Sequence, residues 1–139
     1  MEISATSRIL SGVILITVPS IEFGGTFLLK MLRTSEPSYV NNPLRHDLFR
    51  AGHAHAGVLV ILSLLCQLFA DALTLPPALV WIARLGAPSA AILMPLGFFL
   101  SVASPQAVRP NKLVALVYAG AALLALGVLV LGIGLILGA

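Results

Sequence analysis

This chain carries little charge. Only 9% of its 139 residues are Asp, Glu, Lys or Arg, against about 25% in a soluble domain. That shortage excludes a water-facing globular surface and makes the bilayer the solvent. Five acidic residues stand against eight basic ones, a formal charge of +3. The excess is too small and too scattered for a nucleic-acid-binding face, and it reads instead as loop charge that sets topology. One cysteine, Cys66, excludes an intrachain disulfide and reads as a small packed hydrophobe. Aromatic residues are also few. The one tryptophan, Trp81, is placed where a span meets the headgroup layer. No glycine-rich nucleotide or phosphate motif occurs, so a cytosolic enzymatic activity has no support.

What the chain has is apolar length. Four stretches, about Ile9–Leu32, Leu48–Phe69, Ala78–Val102 and Leu113–Leu137, each approach the roughly 20 residues a helical span requires. In lipid only helices or closed barrels satisfy the backbone, and runs this long mean helices. The first stretch reads as a span rather than a cleaved signal, because its flank is barely basic and Glu22-Phe23-Gly24-Gly25 stands where a cleavage region would lie. The fold expected is all-α: one integral membrane four-helix bundle over residues 1–139, with helices at about 9–32, 43–69, 78–102 and 113–137.

Lys30, Arg33, Arg45 and Arg50 surround the first connection, and Arg109 and Lys112 lie in the third. The positive-inside bias therefore places both basic loops in the cytoplasm and both termini outside, in a plasma-membrane or inner-membrane type of bilayer. Asn42-Pro43 reads as an N-cap followed by proline at the first helical position, which starts the second helix early. Pro76-Pro77 opens the third helix, and Pro88 and Pro95 within it predict kinks or local unwinding. Gly120, Gly127 and Gly134 recur every seven residues and form a close-packing seam, within the protomer or between protomers. Asp71 and Arg84, near the outer ends of two helices, read as interfacial.

Polar residues inside spans mark sites or pathways. Phe49-Arg50-Ala51-Gly52-His53-Ala54-His55-Ala56-Gly57 places two imidazoles one residue apart among small neighbours. At about 100° per residue, His53 and His55 point about 200° apart, so one metal cannot take both unless the helix breaks. His46, seven residues before His53, shares its face. Hydrogen bonding within the bundle, ligation of haem iron or a transition metal by His53, His55 or His46, and proton relay all remain open. Met94 reads as core filler ahead of a soft axial ligand.

Glu22 is the acidic counterpart. A central carboxylate costs roughly 2.5–3.5 kcal/mol on insertion scales, so it is expected to be protonated, paired or hydrated. Counted from the basic side, Glu22 lies about 12 Å deep and the two histidines roughly 5–8 Å. The depths agree to about one turn, which allows a Glu22–histidine contact, as a proton partner or as a carboxylate orienting a ligating imidazole.

The His53-Ala54-His55 helix resembles subunit I of the haem-copper oxidase and nitric oxide reductase family, whose His-x-His helix presents its imidazoles to two haems on opposite faces. That resemblance implies haem binding at His53 and His55, possible electron transfer, and a trimer imitating the family's three four-helix arcs. The chain lacks the family's paired histidines and its other copper-ligand helix, so oxygen reduction does not carry over. Glu22-Phe23-Gly24-Gly25-Thr26-Phe27-Leu28-Leu29-Lys30 resembles the first helix of small multidrug resistance transporters, also four-helix proteins. It implies that Glu22 alternately binds protons and cationic substrate, although the longer first connection and the missing aromatic-glycine segment depart from that family. An accessory subunit without chemistry is the third expectation. The partners expected are membrane lipid and further copies of the chain, since sheltering Glu22 and two divergent histidines exceeds what one protomer can do.

Overall fold

The computed structural model describes residues 2–138. Its elements are α1 (Ala5–Arg33), α2 (Pro37–Val40), α3 (Pro43–Ala70), α4 (Pro77–Ser101), a 3-10 turn (Lys112–Val114) and α5 (Ala115–Leu137), with no strand among the described residues. Four helices are long and apolar enough to cross a membrane. The protein is therefore an all-α membrane four-helix bundle, and the expected spans match α1, α3, α4 and α5 to within a few residues.

Local chemistry explains the boundaries. Ser4 caps α1 by accepting a 3.1 Å hydrogen bond from the Ser7 amide, so this helix starts four residues before its apolar run. After Arg33 the chain turns through Ser35, whose φ of 49° lies in the left-handed region that side chains avoid. Pro37 then opens the single turn of α2, an element too short for hydrophobic periodicity to reveal. The Asn42 side chain accepts from the Arg45 amide at 3.1 Å, with Pro43 in the first turn of α3, as the Asn-Pro pair predicts.

Pro88 and Pro95 do not unwind α4, which stays helical throughout. Proline leaves the carbonyl four residues earlier without its donor. For Pro88 that carbonyl belongs to Arg84, and the Gln67 side chain replaces the missing amide, donating to Arg84 O at 2.8 Å. α1 likewise runs unbroken past Pro19.

α4 lies between α3 and α5, and α1 packs on the far side of α3. The glycine seam is spent inside the protomer. A Cβ on Gly127 would lie 2.8 Å from Gly86 Cα, one on Gly120 2.6 Å from Met94 Cγ, and one on Gly134 2.6 Å from Leu75 Cδ1. Cys66 and Met94 are buried in this region, as expected of core residues.

α1 is fastened at its two ends and loosely held between. At the end bearing both termini, Asp71 and Arg84 form a 2.6 Å ion pair with side chains only 6% and 7% exposed, so these two residues near the helix ends are buried against each other. The Asp71 carboxylate also accepts from the Ser4 amide at 3.0 Å and hydroxyl at 2.6 Å. Arg84 donates to the Ser7 hydroxyl at 2.6 Å, and Ser7 donates to Gln67 O at 2.9 Å. At the basic end Leu28 and Met31 pack with Tyr39, Phe49 and Val102. Arg45 ties that end together by donating to Val102 O at 3.2 Å and Ser38 O at 3.1 Å, with its guanidinium 4.6 Å from the Phe49 ring centre.

Candidate intramembrane site

α1 and α3 meet at mid-length through glycine. A Cβ on Gly25 would lie 3.2 Å from both Cε1 and Nε2 of His53, and one on Gly24 3.6 Å from its Nδ1. The absence of side chains at these two positions lets the imidazole reach the backbone of α1.

Around this contact the helices splay. A groove of about 710 Å³ runs between α1 and α3, lined by Val18, Glu22 and Leu29 on one side and His53, Gly57 and Val60 on the other. Glu22 stands one helical turn from Gly25 on the same face, so the carboxyl and the imidazole share this groove. Glu22 itself is exposed on the outside of the protomer. No salt bridge engages it among the described residues, where the close acid–base contacts are His46–Asp47 and the Arg84–Asp71 ion pair. A single copy therefore does not shelter Glu22.

His53 lines two further cavities. One of about 410 Å³ lies between α1, α3 and α4, with Thr17, Ser63 and Pro88 in its wall. The other, about 430 Å³ at the basic end, holds Tyr39, His46, Arg50 and His53 against Leu28, Leu29 and Leu32. The sequence places His46, Arg50 and His53 at steps of four and three residues, hence on one stripe of α3. That stripe continues through Gly57, Val60 and Leu64 along the groove.

His55 faces elsewhere. Its Nδ1 lies 2.7 Å from Ala51 O, and its ring centre is 5.0 Å from that of Phe98 on α4. A carbonyl only accepts, so Nδ1 is the donor in this contact, and Nε2 has no hydrogen-bond partner among the described residues. The divergence expected from 100° per residue is therefore present, and α3 does not break to bring the rings together. His46 Nδ1 lies 3.1 Å from Asp47 Oδ1, and its ring is 4.9 Å from Tyr39.

Among the described residues, no three His, Cys, Asp or Glu side chains stand close enough to hold one metal ion. His46, His53 and His55 are thus not a ready three-ligand centre within one protomer. Nothing in the local sequence marks Tyr39, and Arg50 reads there as topological charge. The Tyr39 ring is fully buried, and its hydroxyl is a buried polar atom with no hydrogen-bond partner. Burial pushes this phenol up from its ordinary value, against the lowering effect of Arg50.

No protein-family model, curated protein or solved structure matches this chain.

Proposed function

We propose that this membrane protein takes up a cationic amphiphile from the bilayer in the groove between α1 and α3, and exchanges it for a proton held by Glu22 with His53. The observation that carries the reading is the convergence of Glu22 and His53 on one groove while His55 faces away. An outward-facing carboxyl in a span is costly unless neutralised. A proton and a cation can each neutralise it, which makes their binding mutually exclusive and couples one to the other. The groove walls are apolar, as a ligand partitioning from lipid requires. The likeness of the Glu22–Lys30 segment to small multidrug resistance transporters points the same way. In liposomes, Glu22→Gln is expected to abolish proton-driven flux of a lipophilic cation while the protein remains folded. Unchanged flux in that variant removes the reading.

A second reading rests on the free Nε2 of His55, the tautomer that an axial haem ligand needs. In it, His55 ligates haem iron at a contact between copies of the chain, with electron transfer as the function. His53, on the other face, would serve a second haem. Protein purified from haem-replete cells is then expected to show a Soret band that His55→Ala removes, whereas colourless protein ends this reading. Both readings call for a closed homo-oligomer, a trimer being favoured by the oxidase resemblance. Native mass spectrometry finding only monomers across detergents and concentrations would count against it.

A further inference from the structure

The groove between α1 and α3 holds a second polar group on α1, and it is Thr26. Thr26 lines the groove with Glu22 and is exposed. The two stand four residues apart on α1, where side chains are neighbours with about 5–6 Å between Cβ atoms. The Thr26 hydroxyl donates its proton to Phe23 O at 2.8 Å. With that proton committed to its own helix, Oγ1 has only lone pairs to offer the groove. Thr17 and Ser20 also donate to carbonyls of α1, but they line the cavity beside α4. His53 completes the polar set of the groove. The histidine hydrogen bonds among the described residues belong to His46 and His55, so the acceptor nitrogen of a neutral His53 is uncommitted. An ionised Glu22, the Thr26 hydroxyl and a neutral His53 thus offer acceptors to one occupant. The remaining walls are aliphatic or glycine, with no Phe, Tyr or Trp among the described lining residues. The cation–π attraction that recognises quaternary and aromatic cations is therefore missing.

We infer that the cation this groove prefers is a protonated long-chain primary amine, with Thr26 as the residue that selects it over a quaternary ammonium. The inference rests on the exchange reading and names its substrate class. A primary ammonium, like that of lysine, has three N–H donors and no acceptor. One donor meets the Glu22 carboxylate, one Thr26 Oγ1 and one the His53 nitrogen. A quaternary nitrogen has no N–H, and its alkyl groups cover Oγ1 without bonding it. Attraction to the Glu22 charge is common to both cations, so the N–H contacts decide between them. The alkyl chain does not decide. Lipid tails are as apolar as the groove walls, and moving a chain from one to the other gains little. There is room for it, because the α1 wall runs from Leu15 to Leu29, about 21 Å at 1.5 Å per residue. Glu22 stands at the midpoint, so the ammonium sits mid-groove and the chain lies toward one end. Glu22 is the one carboxyl among the described lining residues, which matches a single positive charge. The amine enters already protonated, as an alkylammonium is at neutral pH, and the proton released is the one that Glu22 held.

The test is equilibrium binding of radiolabelled dodecylammonium and dodecyltrimethylammonium to the full chain in lipid nanodiscs. Empty nanodiscs are subtracted, and tetraphenylphosphonium, which has no N–H, is run alongside. Unmodified protein is expected to hold dodecylammonium about tenfold or more tightly than dodecyltrimethylammonium. Thr26→Val keeps the shape and removes the hydroxyl. It should weaken dodecylammonium about fivefold to tenfold and leave dodecyltrimethylammonium and tetraphenylphosphonium unchanged. Thr26→Ser, which keeps a hydroxyl, should retain the preference of the unmodified protein. Circular dichroism checks helicity in each case; should Thr26→Val not fold, Thr26→Ala makes the same comparison. Equal affinity for the two alkyl cations in the unmodified protein, or an undiminished preference in the variant that lacks the hydroxyl, would overturn the inference. If tetraphenylphosphonium still binds with proton release in that event, the exchange reading stands without it. Failure of every cation to bind the unmodified protein overturns both.

Discussion

The His53 ring sits against Gly25 so closely that a methyl group there would lie 3.2 Å from two of its atoms. This contact, between the middle of α1 and the middle of α3, separates the groove that holds Glu22 from the cavity beside α4, and His53 lines both. Replacing Gly25 by Ala requires the ring to give by a few tenths of an ångström, at a cost of about 1 kcal/mol. Gly25→Leu fills the groove outright. Lipophilic-cation binding should weaken modestly in the first variant and disappear in the second, with helicity retained in both. Equal binding in all three proteins would show that the groove is not where the cation sits.

Asp71 and Arg84 hold the other end of α1. Burial raises the Asp71 carboxyl, but hydrogen bonds from the Ser4 hydroxyl and amide and from Arg84 outweigh it and hold this carboxyl well below the ordinary value of 3.8. A depressed folded-state value means stabilisation that is full above the ordinary value and is lost as pH falls through it toward the lower folded value. Thermal unfolding in detergent should therefore show no contribution from this pair to any change between pH 7 and 5, and a decline below about pH 4. Asp71→Ala should lose about 3–5 kcal/mol at neutral pH by stranding Arg84, and should lack that acid decline. The double replacement Asp71→Leu with Arg84→Met should cost less than either single change, because no buried charge is left alone. A double variant as unstable as Asp71→Ala would contradict this.

Gly127 meets Gly86 backbone to backbone within one protomer. Gly127→Ala should force α4 and α5 apart and cost about 1–3 kcal/mol, read as a lower unfolding temperature. The subunit count in native mass spectrometry should not change. Loss of the oligomer with an unaltered unfolding temperature would place this seam between copies instead.

Much of this architecture is legible in the residues alone, for physical reasons. Apolar runs long enough to span can only be helices in lipid, so the four spans follow from length. The Asn42-Pro43 start of α3 and the opposed directions of His53 and His55 follow from local geometry. What was hidden is whatever depends on which helix faces which. Core and lipid are both apolar, so hydrophobic periodicity does not tell the buried face of α1 from its outer face. Hence Glu22 reads as needing shelter, while in the protomer it points outward. Asp71 and Arg84 lie thirteen residues apart across a turn, and nothing local announces that they meet. The Gln67 bond to Arg84 O had a signal, the carbonyl freed by Pro88, but its donor comes from another helix. Tyr39 gave none, because α2 is a single turn.

The central claim is that Glu22 and His53 bind either a proton or a lipophilic cation, never both. Isothermal titration calorimetry of the purified protein with tetraphenylphosphonium, run in two buffers of different ionisation enthalpy, measures the protons released on binding. The account predicts proton release by the unmodified protein, reduced release in His53→Ala, and none in Glu22→Gln. Binding without proton release, or the same release in Glu22→Gln as in the unmodified protein, would contradict it.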